Sequence, residues 1–241
     1  METPVLADRV ALVTGAGRGI GRAVAEALAR HGAAVVLASR TRGEVAAVAE
    51  AIRATGGRAL GVPTDVTQDA RVEALVDAAV GELGRVDILV TAAGVAAFGP
   101  VAGAKVTDWD PMLAVNLRAV MSCCRAVLPP MLRQRSGTIV NVASVAAARA
   151  IPGAAAYAAT KAGVVAFSRV LAEELRADGV RVGVISPGAV DTALWDAIPG
   201  GPDRAKMLTA ETVARAVLLM VTLPAGAAME DVTLLPAGGI L

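Results

Sequence analysis

The chain has 241 residues, a formal net charge of +1 at pH 7 and a mean hydropathy of +0.60. This length suits one large α/β domain, and the balanced charge gives no reason to expect a nucleic acid or a membrane surface as partner. Hydrophobic residues make up 55% of the chain, but the longest uncharged runs, 91–104 and 216–229, are interrupted by Gly or Pro and are too short to span a bilayer. No secretory leader pattern opens the chain, so we expect a soluble, cytoplasmic protein.

The two cysteines and the single histidine limit the kinds of catalytic and metal sites that this chain can form. Cys123 and Cys124 are adjacent, so they cannot readily pair or chelate, and burial in a helix is the expected role. The sole histidine, His31, precedes Gly32 at a predicted helix end, where it would act as a cap. A histidine-based catalytic triad is therefore excluded, and no metal site is expected because no cluster of metal ligands is visible.

The first strand, 10–14, runs into a glycine-rich loop and then an alanine-rich helix to about Arg30. Strand, loop and helix start form a phosphate-binding turn, because backbone N–H groups and the helix dipole face the anion. The spacing departs from GxGxxG, since an isoleucine stands where the last glycine belongs. An ordinary strand–helix turn is the alternative. The loop residues predicted to bind a cofactor are Gly15, Arg18, Gly19, Ile20 and Gly21.

The second strand, 34–39, ends at Ser39 and is followed by Arg40. In a dinucleotide fold this strand end meets the adenosine ribose, where an acidic residue would favour NAD. Instead, Arg40 and the nearby Arg18 suit a 2′-phosphate. The sequence therefore favours NADP(H) over NAD(H); the alternative is that both arginines are merely solvated.

The remaining elements alternate between strand and helix. Thr91-Ala-Ala-Gly94 is a turn of small residues, and Ala93 and Gly94 would let a flat ring approach the backbone. Asn116 lies inside a predicted helix, where it is either solvated or buried with a partner. Seven strands alternating with helices predict a Rossmann-type, doubly wound parallel sheet in one domain over residues 1–241, with its ligand cleft at the carboxyl ends of the strands. The predicted helices are 42–55, 69–83, 108–134, 155–178 and 209–222, and the later strands are 58–62, 86–90, 137–143, 180–185 and 232–235.

The chemistry centres on Ser144, Tyr157 and Lys161. Ser144 ends a buried strand, while Tyr157 and Lys161 stand at i and i+4 on one helix face. Lowering the tyrosine pKa by ~2–3 units requires roughly 3–4 kcal/mol. One ammonium about 5 Å away supplies roughly 3 kcal/mol at an effective dielectric of ~20, so Lys161 could nearly suffice. The alternative is a chance YxxxK on a solvated helix edge.

Together these segments resemble the short-chain dehydrogenase/reductase family along almost the whole chain. The family's TGxxxGxG motif stands at 14–21. Its catalytic Asn–Ser–Tyr–Lys set matches Asn116, Ser144, Tyr157 and Lys161. Further cofactor contacts implied by the resemblance, in addition to the residues above, are Asp65 and Val66 at the adenine and Pro187, Gly188, Val190 and Thr192 in the PG loop. The family's NNAG turn reads Thr91-Ala92-Ala93-Gly94 here, without either asparagine, which leaves open whether side chains of that turn still bond to the neighbouring strands.

The resemblance implies hydride transfer between NADPH and a ketone or secondary alcohol. In that mechanism Tyr157 is the general acid/base, Ser144 holds the carbonyl oxygen, Lys161 lowers the phenol pKa and binds the ribose, and Asn116 anchors a water relay. A homodimer or homotetramer built on helices 108–134 and 155–178 is implied too. The substrate loop, about 192–208, is short and predicts an open cleft, with Leu194, Trp195 and Met207 as an apolar wall.

Two alternatives stay open at this stage. One is reduction of 3-oxoacyl thioesters on an acidic carrier protein, for which Arg149 and Arg204 are the only basic residues near the cleft. The other is a non-catalytic NADP-binding regulator, which the intact Ser–Tyr–Lys set disfavours.

Overall fold

A computed structural model describes residues 4–198 and 201–239. Its strands are β1 (Val10–Thr14), β2 (Ala34–Ser39), β3 (Arg58–Pro63), β4 (Ile88–Thr91), β5 (Gly137–Val142), β6 (Val180–Pro187) and β7 (Asp231–Leu234). They form one seven-stranded sheet in the order β3-β2-β1-β4-β5-β6-β7, and every pair is parallel. The predicted doubly wound sheet is therefore confirmed.

Helices cover both faces of this sheet. They are α1 (Gly19–Arg30), α2 (Arg42–Ala54), α3 (Asp69–Leu83), α4 (Asp110–Leu113), α5 (Ala119–Gln134), α6 (Ala155–Leu175) and α7 (Ala210–Thr222). One core packs α1, α2 and α7 on the sheet, and a second packs α3, α5 and α6 on the opposite face. The central strands β1, β4 and β5 are buried along their whole length, which explains their predominantly apolar sequences.

The region predicted as one helix over 108–134 is more complex. Asp108 closes a short 3₁₀ turn, α4 begins only at Asp110, and a π-helical turn over Ala114–Arg118 separates α4 from α5. This turn carries Asn116, which is fully buried and directed at the loop after β4. π-Helical turns inside α-helices frequently mark functional sites, and the sequence pattern did not predict this one.

The other observed strand and helix boundaries differ from the predicted ones by a few residues. β4 occupies Ile88–Thr91 instead of 86–90, and β6 continues to Pro187 because its last residues pair with β7. The predicted helix 155–178 is α-helical only to Leu175; a 3₁₀ turn then ends at Gly179, whose φ is +74°. The adjacent cysteines are buried as predicted, and burial raises the pKa of Cys123 to about 12.

By length and composition alone, one helix within the described residues, Val106–Gln134, could cross a membrane, with a mean hydropathy of 1.3. Its inward face packs on the sheet through Cys124 and Val127, which are fully buried. Core helices of soluble proteins meet the same criteria, so the hydropathy of this helix is weak evidence for insertion.

The order of the strands reverses direction between β1 and β4. Chain connections leave these two neighbours towards opposite edges of the sheet, which opens a crevice at their carboxyl ends. The fold therefore predicts a ligand site beside Thr14 and Thr91.

Candidate active site

A cavity of about 730 Å³ lies at the carboxyl ends of the strands. It is lined by the glycine loop, by the segments after β2, β3, β4 and β5, and by the loop after β6. All of the predicted catalytic and cofactor-binding residues line this cavity except Gly21 and Asn116, which support it from behind.

Backbone packing explains the glycines of the loop between β1 and α1. Gly15 has a φ of +66°, and a Cβ there would lie 2.7 Å from the Ala93 amide nitrogen. A Cβ at Gly21 would overlap the Gly15 carbonyl oxygen. Helix α1 begins at Gly19 with no side-chain cap on its first amides and no acidic residue in its first turn. The loop therefore presents a positively polarised helix start to the cavity, as an anionic pyrophosphate requires.

Charged side chains of both signs line the cavity near the carboxyl end of β2. Arg18 and Arg40 are exposed and line it, as does Ser39. Glu44, which the sequence reasoning did not select, lines it too; a Cβ at Gly17 would lie 2.6 Å from its Oε2 and 2.9 Å from the Ser39 Oγ. Its position at the start of α2, directly after the predicted ribose-binding residues, was the signal that could have identified it.

Asp65 and Val66 follow β3 and line the same end of the cavity. The Asp65 Oδ1 accepts hydrogen bonds from the Thr67 hydroxyl at 2.7 Å and from the Thr67 amide at 3.0 Å. These bonds, with smaller effects of Gln68 and Arg40, hold the pKa of Asp65 below its usual value. The carboxylate is therefore ionised and keeps acceptor positions for an amino group.

The side chain of Asn116 is hydrogen-bonded to the loop after β4 and holds it in position. Its Oδ1 accepts from the Val95 amide at 2.9 Å, and its Nδ2 donates to the Val95 carbonyl at 2.8 Å and to the Thr160 hydroxyl at 3.3 Å. Thr160 in turn donates to the Tyr157 carbonyl at 2.7 Å. Both Nδ2 hydrogens are therefore used within the protein, and Asn116 links the loop of Ala93 and Gly94 to the helix that carries Tyr157.

One side-chain bond runs from Thr91, at the start of the turn after β4, to a neighbouring strand, although both asparagines of the family's turn are absent. The Thr91 hydroxyl donates to Asn141 Oδ1 on the neighbouring strand β5 at 2.7 Å. Asn141 donates in turn to Ser168 on α6 at 2.9 Å, and both partners are buried. A threonine thus replaces the asparagine contact, because its hydroxyl reaches the adjacent strand in the parallel register.

The structure brings Ser144, Tyr157 and Lys161 together. The Ser144 hydroxyl lies beside Tyr157, where it acts to lower the pKa of the phenol, and it accepts from the Ala146 amide at 3.1 Å. Lys161 Nζ lies 5.8 Å from the centre of the Tyr157 ring and donates to the Val142 carbonyl at 2.9 Å. The three side chains therefore meet at the carboxyl end of β5.

The expected lowering of the tyrosine pKa by Lys161 is wrong for the protein in this structure. Burial raises the pKa of Tyr157, and the neighbouring Ser144 hydroxyl only partly opposes that rise. Burial also lowers the pKa of Lys161 to about 8. The reason is that the same apolar surroundings that would strengthen the attraction between ammonium and phenolate disfavour both charges.

The loop after β6 closes the far side of the cavity. Pro187, Gly188, Val190 and Thr192 line it, as do Leu194 and Trp195. The Trp195 indole N–H donates to the Val190 carbonyl at 3.0 Å, which fixes the ring. Met207 does not line the cavity; it is 9% exposed and packs in the protein, so its predicted place in the substrate wall is wrong.

The two arginines considered for an acidic carrier protein do not form a basic rim. Arg204 is paired with Asp191 at 2.6 Å and Asp196 at 2.5 Å, and it also donates to the Thr192 carbonyl. Neither Arg204 nor Arg149 lines the cavity. Arg204 therefore holds the substrate loop together.

Phe98 is a second lining residue that the sequence reasoning missed. It lies on the loop after β4, with its ring centroid 5.8 Å from that of Tyr157 and 6.0 Å from that of Trp195. The Gly99 amide donates to the Gly153 carbonyl at 2.8 Å and anchors this loop beside α6. An isolated phenylalanine in a glycine-rich loop gave no periodic signal.

A doubly wound parallel sheet with a polar cleft at its switch point defines a Rossmann-type protein. A family model described as short chain dehydrogenase matches residues 9–201. An uncharacterized oxidoreductase of Staphylococcus aureus (strain MW2) is 38% identical over 96% of this chain and 99% of its own length. The short-chain reductase protein NovJ of Streptomyces niveus is 42% identical over 90% of this chain and 83% of its own length.

The same relationship appears among solved structures. The crystal structure of a metagenomic short-chain oxidoreductase in complex with NADP matches with a TM-score of 0.85 and 34% identity, over 97% of this chain and 99% of that one. The chain therefore belongs to the short-chain dehydrogenase family and is an oxidoreductase.

Proposed function

We propose that this protein is an NADP(H)-dependent oxidoreductase that interconverts a ketone and a secondary alcohol. The observation that carries the proposal is the meeting of Ser144, Tyr157 and buried Lys161 in the cavity that also contains the glycine loop. One ligand site would then contain both a proton donor and a backbone segment that binds an anion.

The cavity suits a nicotinamide dinucleotide. The Gly15–Gly21 contact leaves no room for side chains where a pyrophosphate would approach the helix start. The NADP in the related metagenomic oxidoreductase adds support for the same cofactor here. The residues that would hold it are Gly15, Arg18, Gly19, Ile20, Gly21, Ser39, Arg40, Asp65, Val66, Ala93, Gly94, Tyr157, Lys161, Pro187, Gly188, Val190 and Thr192.

NADP(H) is preferred over NAD(H) because of the charge after β2. Ser39 and Arg40 stand where an acidic residue would bind a ribose 2′-hydroxyl, and Arg18 adds a second cation to that end of the cavity. Glu44 opposes this preference. Because Asp65 at the same end is ionised as well, the two guanidiniums face two carboxylates, and the preference rests on the position of Arg18 and Arg40 beside the ribose and not on a net positive charge.

When bound, the nicotinamide supplies the hydride that reduces the carbonyl carbon. Ser144 and Tyr157 donate hydrogen bonds to the carbonyl oxygen, and Tyr157 transfers its proton to that oxygen as the alcohol forms. The raised pKa of Tyr157 keeps the phenol protonated at neutral pH, which is the form that a general acid needs. The oxidation of an alcohol runs through the same groups in reverse.

Lys161 and Asn116 support this proton transfer. The Lys161 ammonium, 5.8 Å from the centre of the phenol ring, is placed to attract the phenolate that forms, and the cost of burying both charges opposes this attraction. Asn116 keeps the loop after β4 in place, and its Oδ1 has a second lone pair with which it could hold the first water of a proton relay.

A cofactor-absorbance assay tests the reaction. A panel of ketones, diketones and acyl thioesters is offered with NADPH and with NADH, and Tyr157→Phe is compared with the wild type. The variant is expected to lose turnover while its NADPH binding, measured by fluorescence, stays unchanged. Robust turnover by the variant would contradict the assigned acid. The pairing of Arg204 with two aspartates gives no support to the acidic-carrier alternative.

We also propose that two or four copies assemble through α5 and α6. Met121 and Val170 are exposed at 42% and 60%, and a shallow groove lies between these helices beside Phe167 and Leu171. Apolar side chains of this size are normally covered in an obligate assembly. Sedimentation at micromolar concentration is expected to give a dimer or tetramer, and Val170→Arg is expected to dissociate it.

A further inference from the structure

Three of the five aromatic residues of this chain form one cluster in the cavity: Phe98, Trp195 and Tyr157, the proposed proton donor. The sequence contains one Tyr, two Phe and two Trp. The Phe98 ring stands edge-on to Tyr157 at 5.8 Å and 80°, and it lies 6.0 Å from Trp195 at 58°. Edge-to-face contacts of this kind are favourable and position each ring. In a chain with so few aromatic residues, this concentration indicates a surface shaped for a ring.

The charged residues of the cavity lie elsewhere. Among the described residues that line it, the charged ones are Arg18, Arg40, Glu44, Asp65 and Lys161. The first four follow β1, β2 and β3, whereas the aromatic cluster is formed by the segments after β4, β5 and β6, on the other side of the switch point between β1 and β4. Lys161 is 5% exposed, and its Nζ is bonded to Val142. Among the described residues, the lining contributed by the segments after β4, β5 and β6 therefore contains no charged side chain besides the buried Lys161.

Polar groups are equally scarce around these rings. The indole N–H of Trp195 is already bonded to the Val190 carbonyl. The remaining neighbours in the lining are apolar: Ala146, Ile151, Pro152, Leu194 and Ile198. Phe98 and Leu194 leave 38% and 36% of their surface open, so a bound apolar group would cover them. The hydroxyls of Ser144 and Tyr157 then provide a paired hydrogen-bonding position that matches one carbonyl oxygen, and the segment after β6 adds one further hydroxyl to the lining, that of Thr192.

We propose that the substrate is a compact, uncharged ketone that carries an aromatic or alicyclic ring, which packs against Phe98 and Trp195. This inference rests on the proposed ketone–alcohol reaction and adds the class of substrate. A carboxylate or phosphate on the substrate would lose its hydration at this surface without gaining a partner. A linear chain would fill the space between the rings less completely than a flat or cyclic group.

The first test compares ketones of equal carbon number with the wild-type protein and NADPH. They are acetophenone, cyclohexyl methyl ketone and 2-octanone, together with the charged analogue 4-acetylbenzoate. The kcat/KM values of the two ring ketones are expected to exceed that of 2-octanone about tenfold and that of 4-acetylbenzoate about a hundredfold. A preference for 2-octanone or for 4-acetylbenzoate would overturn the inference and leave the proposed reaction standing.

The second test changes the aromatic surface. Phe98→Leu is expected to raise the KM for acetophenone about tenfold while the values for 2-octanone change less than about twofold. Trp109→Leu removes a ring that lies outside both the cavity and the groove between α5 and α6, and it is expected to leave all four ketones unaffected. Equal losses for ring and linear ketones in Phe98→Leu would show that the ring of Phe98 does not select the substrate.

A binding measurement separates the two proposals. In a Trp109→Phe background, Trp195 is the single remaining tryptophan, and acetophenone is expected to quench its fluorescence in the presence of NADP⁺. Quenching without reduction of any ketone would reject the proposed reaction while supporting the ring-binding surface. The absence of quenching by both ring ketones would reject the surface itself.

Discussion

The Lys161 ammonium nitrogen lies 2.9 Å from the Val142 carbonyl oxygen, so α6 is hydrogen-bonded directly to the end of β5. Tyr157 stands one turn earlier on the same helix face, and its ring centre is 5.8 Å from that nitrogen. Because the lysine is anchored to the sheet, the distance between cation and phenol does not depend on a flexible side chain. The same burial that fixes the lysine also lowers its pKa to about 8.

The pH dependence of stability follows from this burial. The Lys161 pKa of about 8 in the folded protein lies below the ordinary lysine value of about 10.4, so the unfolded chain binds more protons between these limits. The free energy of unfolding is therefore expected to rise by about 2 kcal/mol between pH 8 and pH 10.

Urea unfolding at pH 7, 8, 9 and 10, for the wild type and for Lys161→Met, measures this rise. The variant has no such titration, so the contribution to the slope should disappear in it. Tyr157 works in the opposite direction: its raised pKa removes stability as pH rises beyond about 10, so the comparison stops there. Equal slopes in the two proteins would contradict a depressed lysine pKa.

Asn116→Ala is expected to lower the free energy of unfolding by about 2–3 kcal/mol, because it leaves the Val95 amide and carbonyl without their partner. The loop of Gly94 and Phe98 should then be cleaved faster by proteases, since Asn116 fastens it to the π-helical turn. Denaturation curves and limited proteolysis check both effects. An unchanged unfolding midpoint would mean that the loop is held by other contacts.

Gly21→Ala and Gly81→Ala place the same methyl group on two helices with opposite expected results. At Gly21 the Cβ would overlap the Gly15 carbonyl oxygen, so the loop must shift, and both stability and NADPH binding are expected to fall. At Gly81, on the exposed side of α3, nothing lies within 4 Å, so alanine is expected to stabilise the helix by about 0.5–1 kcal/mol. Urea denaturation with a fluorescence binding assay compares them; equal effects would show that the contact between Gly21 and Gly15 is unimportant.

Glu44→Gln is expected to tighten NADPH binding about three- to tenfold by removing a negative charge near the proposed 2′-phosphate position. NADH binding should change less, because NADH lacks that phosphate. Glu50→Gln, on the same helix but outside the cavity, is the matched control. Direct titration of both cofactors measures the ratio. If both cofactors gained equally, Glu44 would not contribute to the choice between them.

Much of the architecture was readable from local pattern. The predominantly apolar runs at β1, β4 and β5 predicted buried parallel strands, and the glycines between β1 and α1 predicted a tight turn at the sheet's carboxyl edge. The i,i+4 spacing of Tyr157 and Lys161 predicted their shared helix face. Such features follow from backbone geometry and periodicity, which act over a few residues.

Other features depended on contacts between distant parts of the chain. The sequence determined the sheet, the glycine turn and the identities of the proposed proton-transfer residues. Only the tertiary structure decided that Asn116 fastens Val95, that Glu44 reaches Gly17 and Ser39, and that Phe98 meets Trp195. It also reversed the expected shift in the Tyr157 pKa. Charge spacing along the chain predicts attraction, but the cost of burying a charge depends on the whole environment that folding builds around it.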